Sequence, residues 1–425
     1  MKAFSVFSSG KKKKSVTAEV ITPSIYYGKC ARKIKFLKFS VLFLLILYII
    51  YGVWFHGSEL TVENFRYMMK YLDFSTSNVV VSGKEIVFDH DSKADIGILR
   101  NNIVIADGSG INVYDLNGQR SLRTPFTFSY PAIAVSDKFL FAYDLGMGSN
   151  TLKIFNVYSE IKSYTYDYPI YGVSVNPDGA YCVITSERGY TSGFIAYDSA
   201  NRFIFRKSYG NRHVVSVDIS DGGKDFIALL VSASDGDFVT ELVHYNMTSE
   251  NEQHSAKYLG EYPIKTVFAE NGKVFVLTDK AIRFYNSDFQ LQKEVSLENE
   301  SMKRFFFDDE HAIITYGTQI VGNSARAKVF DVSGNIIVDE YFDGDILKTM
   351  IKDDVLYTIT KGKFVIFDIK SGEKKIVAID SKYTDFNFAS DGIVFLNPTG
   401  AKYCDLDMIE DANKPQPTQI IESEE

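Results

Sequence analysis

The residues able to do chemistry are few and scattered. Six histidines occur: His56, His90, His213, His244, His254 and His311. No pair has the HExxH spacing that puts two metal ligands on one helical face. Carboxylates cluster at Asp235-Gly236-Asp237, Asp308-Asp309-Glu310, Asp343-Gly344-Asp345 and Asp353-Asp354. Calcium takes such oxygens, but EF-hand spacing is absent. Asp and Gly also belong at turns for backbone reasons. Gly146-Met147-Gly148 lacks the strand-to-helix context of a dinucleotide loop, and there is no Walker A loop or GxSxG elbow. No catalytic, cofactor-binding or metal-binding residue is nominated on this basis.

The elements that would position any site begin with the N-terminus. Up to Lys38 there are ten Lys/Arg against one acid, Glu19, so this stretch carries +9 and the remainder of the net -8 chain carries -17. Such asymmetry points to two compartments or an interaction tail. Residues 39–55 read FSVLFLLILYIIYGVWF, and no charge falls between Lys38 and Glu59. About 20 helical residues cross a hydrocarbon core of about 30 Å. A cleaved signal peptide would show a shorter apolar region and then small residues. Tyr51, Trp54, Phe55 and His56 follow instead, so an uncleaved anchor over 39–58 is expected.

Lys29, Arg32, Lys33, Lys35 and Lys38 flank the run upstream, against Glu59 and Glu63 downstream. Lys/Arg stay on the cytoplasmic side. The expected arrangement is a cytoplasmic tail (1–38), a single pass of the plasma membrane and an extracytoplasmic remainder. The tail, with Lys11 to Lys14, suits anionic lipid. Cys30 lies where acylation is feasible, though a reduced thiol is the simpler reading. Phe65, Met68, Met69 and Leu72 are spaced for a helical linker over 59–78, with Thr61 and Asn64 as candidate caps.

From residue 79 onward the pattern changes to short strands separated by turn residues. INVYDLNGQ (111–119) and KFVIFDIKSGE (363–373) share one phrase: an aromatic, then Asp or Asn, then a turn. It recurs at Tyr114-Asp115, Phe155-Asn156, Tyr197-Asp198, Tyr245-Asn246, Tyr285-Asn286, Phe330-Asp331 and Phe367-Asp368. Cys404-Asp405 is a degenerate eighth copy. The gaps are 41, 42, 48, 40, 45, 37 and 37 residues. A period near 40 is that of four-stranded propeller blades. The aromatic is expected between blades at the end of the third strand, and the Asp or Asn should accept backbone N–H bonds in the next turn. Gly118, Gly334 and Gly372 supply positive φ there.

About twenty residues before these dyads come first-hairpin turns: Asn176-Pro177-Asp178-Gly179, Asp221-Gly222-Gly223, Asn271-Gly272 and Asp391-Gly392. Units then start near 93, 131, 171, 214, 263, 301, 345 and 383. The last lacks a fourth strand, because 408–425 is polar and Pro-containing, a disordered tail by composition. KEIVFDH (84–90) is a spare strand upstream. The expected fold is all-β: a single propeller over 79–407 with eight four-stranded blades, the spare strand closing the last. Seven blades is the alternative if 383–405 packs elsewhere. Cys182 and Cys404 then fall three blades apart, beyond disulfide reach. An outer domain without disulfides points to a bacterium or a reducing habitat.

VSVNPDGAYCVI (173–184) resembles the first hairpin of WD40-like and TolB-like blades, and the YDLNG and FDIKSG turns resemble PQQ-type repeats. Basic tail, anchor, helical linker and Tyr-rich propeller together resemble an uncharacterised family of membrane-anchored proteins of Gram-positive anaerobic bacteria. That resemblance implies no activity. Quinoprotein blades carry docking tryptophans, whereas the one Trp here lies in the anchor, so no cofactor is expected. An acidic outer domain also excludes nucleic acid as a partner.

The expected function is a non-enzymatic, membrane-tethered interaction or scaffold domain at the cell envelope, with another envelope protein as partner. The alternatives are a small-ligand or polysaccharide sensor using the central funnel, and a propeller hydrolase or lyase. Aromatics converging on one face would favour the sensor. Three convergent carboxylates in the central pocket would favour the enzyme.

Overall fold

The structure, a computed structural model, describes residues 35–44, 46–47, 85–87, 94–234, 236–298, 300–317, 324–389 and 392–406. The chain divides into two units, Met1–Phe74 and Ser75–Glu425. In the first, residues 35–44 and 46–47 are helical. Among the described residues no helix is long and apolar enough to cross a membrane. The remainder of the expected span, the linker over 59–78 and the tail over 408–425 lie outside the described residues.

In the second unit the described strands form eight four-stranded antiparallel sheets. Blades 1 to 7 are consecutive meanders over 95–125, 131–165, 172–209, 213–259, 263–296, 302–343 and 346–378. Their first strands begin within two residues of the starts expected from the repeat. The two middle strands of a blade are covered on both sides. Tyr181–Thr185 and Ser192–Tyr197 are buried at every position, as are Val274–Thr278 and Ala281–Tyr285. Hence they read as continuous apolar runs instead of alternating ones. Outer strands such as Glu160–Thr165 and Leu291–Ser296 are mostly exposed, with two charged residues each.

The repeated aromatic fills the gap to the preceding blade. Tyr197 packs with Phe141, Leu152 and Ile154 of blade 2. Tyr245 lies 6.1 Å from Phe194 and 5.6 Å from Phe205 of blade 3, and Phe330 lies 5.7 Å from Phe284 of blade 5, between ring centroids. The following Asp or Asn organises the turn. Asp115 Oδ1 accepts N–H bonds from Asn117 and Gln119, and Asn286 Oδ1 from Asp288 and Gln290. Asp331 Oδ1 does the same for Ser333 and Asn335. Gly118, Gly334 and Gly372 have φ of 79°, 79° and 73°.

Blade 8 closes the ring. Its strands Asp385–Ala389, Gly392–Asn397 and Gly400–Asp405 are completed by Glu85–Val87, which pairs antiparallel as Glu85↔Lys402, Ile86↔Ala401 and Val87↔Gly400. Ile86 is buried with Val394 and Ala401 of blade 8 and with Ile103 and Ile105 of blade 1. It fits tightly there: a Cβ on Gly118 would come within 3.3 Å of Ile86 Cγ1. Lys382 Nζ holds Glu85 at 2.5 Å.

One buried side chain therefore joins both chain ends to blade 1. Ile86→Ala is expected to destabilise the propeller by about 2–4 kcal/mol. Val87→Ala, at a side chain 75% exposed, should stay within about 0.5 kcal/mol of wild type. Urea denaturation of the two variants decides. Equal midpoints would refute the closing role.

Candidate functional site

Every first strand runs the same way along the channel, so the molecule has two distinct faces. The top face carries the starts of the first strands, the turns between second and third strands, and the connectors between blades. The bottom face carries the first-to-second and third-to-fourth turns.

In the channel, one register layer reads Asp95, Ala132, Gly172, Ser216, Lys265, Arg304, Lys348, Asp385 from blade 1 to blade 8. Small residues line one side and long cations the other. A cavity of about 620 Å³ opens on blades 7, 8, 1 and 2, lined in part by Asp95, Arg100, Lys348, Met350, Asn387 and Phe388. Lys348 and Asp95 in it are already engaged. Lys348 Nζ lies 2.8 Å from Asp385 Oδ1 and donates to Asn387 Oδ1 at 2.9 Å. Asp95 accepts N–H bonds from Ile96 at 3.0 Å and from Ile133 of blade 2 at 2.9 Å. Burial pushes its carboxyl up, against those two bonds. Asp218 links three blades, accepting from Ser174 Oγ at 2.5 Å and from the N–H of Phe268 at 2.7 Å.

Asp95 and Asp385 thus lie near each other, with Asp218 across the ring in blade 4, and each fastens one blade to the next. Their signal in the sequence is a lone Asp in a first strand rich in Val and Ile, as in DIGIL (95–99) and HVVSVDI (213–219). Among the described residues no group of three or more His, Cys, Asp or Glu is placed to hold a metal. Cys182 and Cys404 are free thiols in blades 3 and 8.

The acidic sequence clusters sort by face. Asp308-Asp309-Glu310 and Asp353-Asp354 turn on the bottom face, and Asp308 Oδ1 accepts the N–H bonds of Glu310 and His311. The Asp343-Gly344-Asp345 step lies on the top face, where Lys303 Nζ holds Asp345 at 2.7 Å and Lys363 Nζ holds Asp343. Asp235 lies outside the described residues. The bottom mouth draws Asp137, Asp221 and Asp309 from blades 2, 4 and 6. Burial first, then Asp221, Asp308, Asp137 and Glu310, raise the Asp309 carboxyl.

The top face differs in kind. Tyr130, Tyr171, Tyr190, Phe238, Leu259 and Tyr262 are all exposed on it, over blades 2 to 5, with Met147 91% exposed. Among the described residues, blade 4 has the longest middle strands. Its middle strands, Asp225–Ser234 and Asp237–Asn246, have ten residues each against five or six in blades 1, 2, 3, 5, 7 and 8. The excess of about four residues adds about 13 Å. Phe238 stands at the tip, edge-on to Tyr262 with centroids 5.7 Å apart.

Below this patch the connectors are bolted by ion pairs. Glu261 receives Arg283 Nη1 and Nη2 at 2.7 and 2.6 Å, and Arg283 also stacks 3.9 Å from the Tyr258 ring. Burial works to raise Glu261, but Arg283 and Thr278 together hold it below the usual carboxylate range. The same bond joins Glu300 to Lys328 in blade 6 and, with charges exchanged, Arg212 to Glu241 in blade 4. Neither the exposed patch nor these pairs were legible in the sequence. An aromatic in a connector looks the same in sequence whether it is covered or bare.

The fold defines a class, the β-propeller with eight blades. The chain belongs to the Family of unknown function (DUF5711), which it matches over residues 74–392. No curated protein sequence matches it. Among solved structures, it is similar to the C-terminal WD40 domain of Sif2 (13% identity, 76% of this chain and 97% of that one, TM-score 0.51). It is also similar to the Dos1 propeller (11%, 76% and 95%, 0.51) and to a eukaryotic initiation factor (14%, 73% and 83%, 0.51). At such identities the likeness concerns the fold alone.

The crowded bottom mouth gives a pH-dependent expectation. A carboxyl raised in the folded state penalises folding once ionised, so the penalty is full above its folded pKa and absent below its unfolded one. Asp309→Asn should therefore raise the urea midpoint at pH 7, by less than about 1 kcal/mol for an exposed group. The gain should vanish as pH falls through the carboxylate range. A gain that persists at pH 3 would show that the ionised carboxylate is not its source.

Proposed function

We propose that this protein is a non-enzymatic, membrane-tethered propeller, held outside the cytoplasm, that docks another envelope protein on its top face. The observation that carries the reading is the exposed set over blades 2 to 5. Tyr and Met are enriched in protein interfaces, and monomers seldom leave a contiguous apolar patch bare without a use for it. The long hairpin of blade 4 raises Phe238 and Tyr262 as a pair of aromatic anchors, the residue type that dominates binding hot spots. The ion pairs beneath keep the platform rigid, which lowers the entropy lost on docking.

Tethering rests on the uncharged run between Lys38 and Glu59, and orientation on the Lys/Arg excess before it. Catalysis is the weaker reading, because Asp95, Asp218 and Asp385 are committed to contacts between blades.

The test is affinity capture of the full chain from solubilised membranes, wild type against the triple variant Phe238→Ser, Leu259→Ser, Tyr262→Ser. All three side chains are exposed, so folding should survive. At least one partner is expected to be lost from the variant by more than about tenfold, the scale of a single hot spot. Identical sets from both proteins would sink the docking face. Protease added to intact cells should digest the propeller and spare residues 1–38. Digestion of the tail instead would reverse the orientation.

A further inference from the structure

A second recess lies away from the channel, over the outer edge of blade 3. Two cavities of about 410 and 640 Å³ share Glu187, Arg206 and Ser208 and so form one groove. It follows the outer strand Phe203–Tyr209. From Phe203 to Ser208 that strand covers about 16 Å, the scale of an oligomer more than of a single small molecule.

The walls and floor differ in chemistry. Tyr190 and Phe203 stand 47% and 59% exposed at the sides. Between them Arg206 Nη1 meets Glu187 Oε2 at 3.3 Å, with the Arg206 guanidinium 5.9 Å from the Phe203 ring. The segment bearing Tyr190 is fixed in place: Ser186 Oγ donates to the Tyr190 carbonyl at 2.9 Å, and the Tyr190 N–H to the Glu187 carbonyl at 3.1 Å. At the floor, a Cβ on Gly193 would come 2.3 Å from the Lys207 carbonyl, so backbone lies against backbone there. The lining charges cancel, with Asp167, Glu187 and Glu250 against Arg188, Arg206 and Lys207.

We infer that this groove binds a neutral oligosaccharide. A pyranose has an apolar face of C–H groups, which stacks on aromatic rings, and a rim of hydroxyls, each both donor and acceptor. Exposed rings beside an adjacent guanidinium and carboxylate match both features. Zero net charge disfavours phosphate, nucleic acid and acidic polymers. The groove shares Tyr190 with the edge of the top-face set but is lined by none of Phe238, Leu259 and Tyr262, so the top-face triple variant leaves its walls intact.

The experiment is calorimetric titration of the purified full chain with four neutral hexaoses: cello-, chito-, laminari- and maltohexaose. At least one should bind, with affinity unchanged between low and high salt. Tyr190→Ala and Phe203→Ala should each weaken it by about tenfold, the scale of one lost stacking partner. Tyr190→Phe should retain it, and Tyr262→Ala, on the docking platform, should leave it unchanged. The inference is overturned if no hexaose binds at millimolar concentration. It is equally overturned if binding survives both alanine variants, or if only a charged polysaccharide binds and salt abolishes it. Loss of a captured protein partner in the Tyr190 and Phe203 variants, without hexaose binding to wild type, would assign the groove to protein instead. Loss of the partner only in the top-face triple variant bears on the docking platform and leaves this outcome separate.

Discussion

Each blade is a sheet with two apolar faces, and neither face can be left to water. Strands such as Val274–Thr278 are buried along their whole length, which is possible only when a neighbour lies on each side. A linear stack of blades would leave two faces bare at its ends. A ring leaves none. That one requirement explains the repeated aromatic, which fills the wedge between blades. It also explains why the chain reaches back from Lys402 to Glu85 to finish the last sheet. With Ile86 seated between Val394 and Ile103, hydrophobic burial joins the ends of the domain.

Polar groups inside such a ring must serve the same closure. A buried carboxylate without partners is costly, and the channel carboxylates each find a donor on a neighbouring blade. Asp95 reaches Ile133, and Asp218 reaches both Ser174 and Phe268. The buried Arg283 is held by Glu261 and Glu294 and covered by Tyr258. Removing one member of such a group leaves the others buried and uncompensated. These residues resemble an active site in composition, yet their hydrogen bonds are spent on holding blades together.

The fold was legible in the sequence because its signals are local and repeated. Asp115, Asn286 and Asp331 each act within their own turn, so an aromatic followed by Asp or Asn reads the same at every copy. The closing strand was legible by default, since one unit lacked a strand and one strand lacked a unit. The surface was not legible. Tyr197 and Tyr190 are both tyrosines beside turns, but one is buried against blade 2 and the other is bare. Only the arrangement of neighbouring blades separates them. The charge pairs of the connectors escape for the same reason, because Glu261 and Arg283 lie 22 positions apart with no periodic pattern to link them.

Where the repeat is broken is also informative. Eight equivalent blades would need only one blade length, yet the strands of blade 4 run to ten and eleven residues. Ring closure does not require the excess, since the other blades close with middle strands of five to eight residues. At its tip the projection leaves Phe238 55% exposed, which lowers solubility and adds little burial there. The same sector holds Tyr130, Tyr171, Tyr190 and Tyr262, the Arg212–Glu241 and Arg283–Glu261 pairs, and the aromatic-walled groove on blade 3. Blades 7, 8 and 1 hold the closing strand and the self-paired channel cluster. The ring thus divides by physical role, with closure on one side and recognition on the other. A partner seated on blades 2 to 5 would not need to disturb the Ile86 seam that keeps the ring shut.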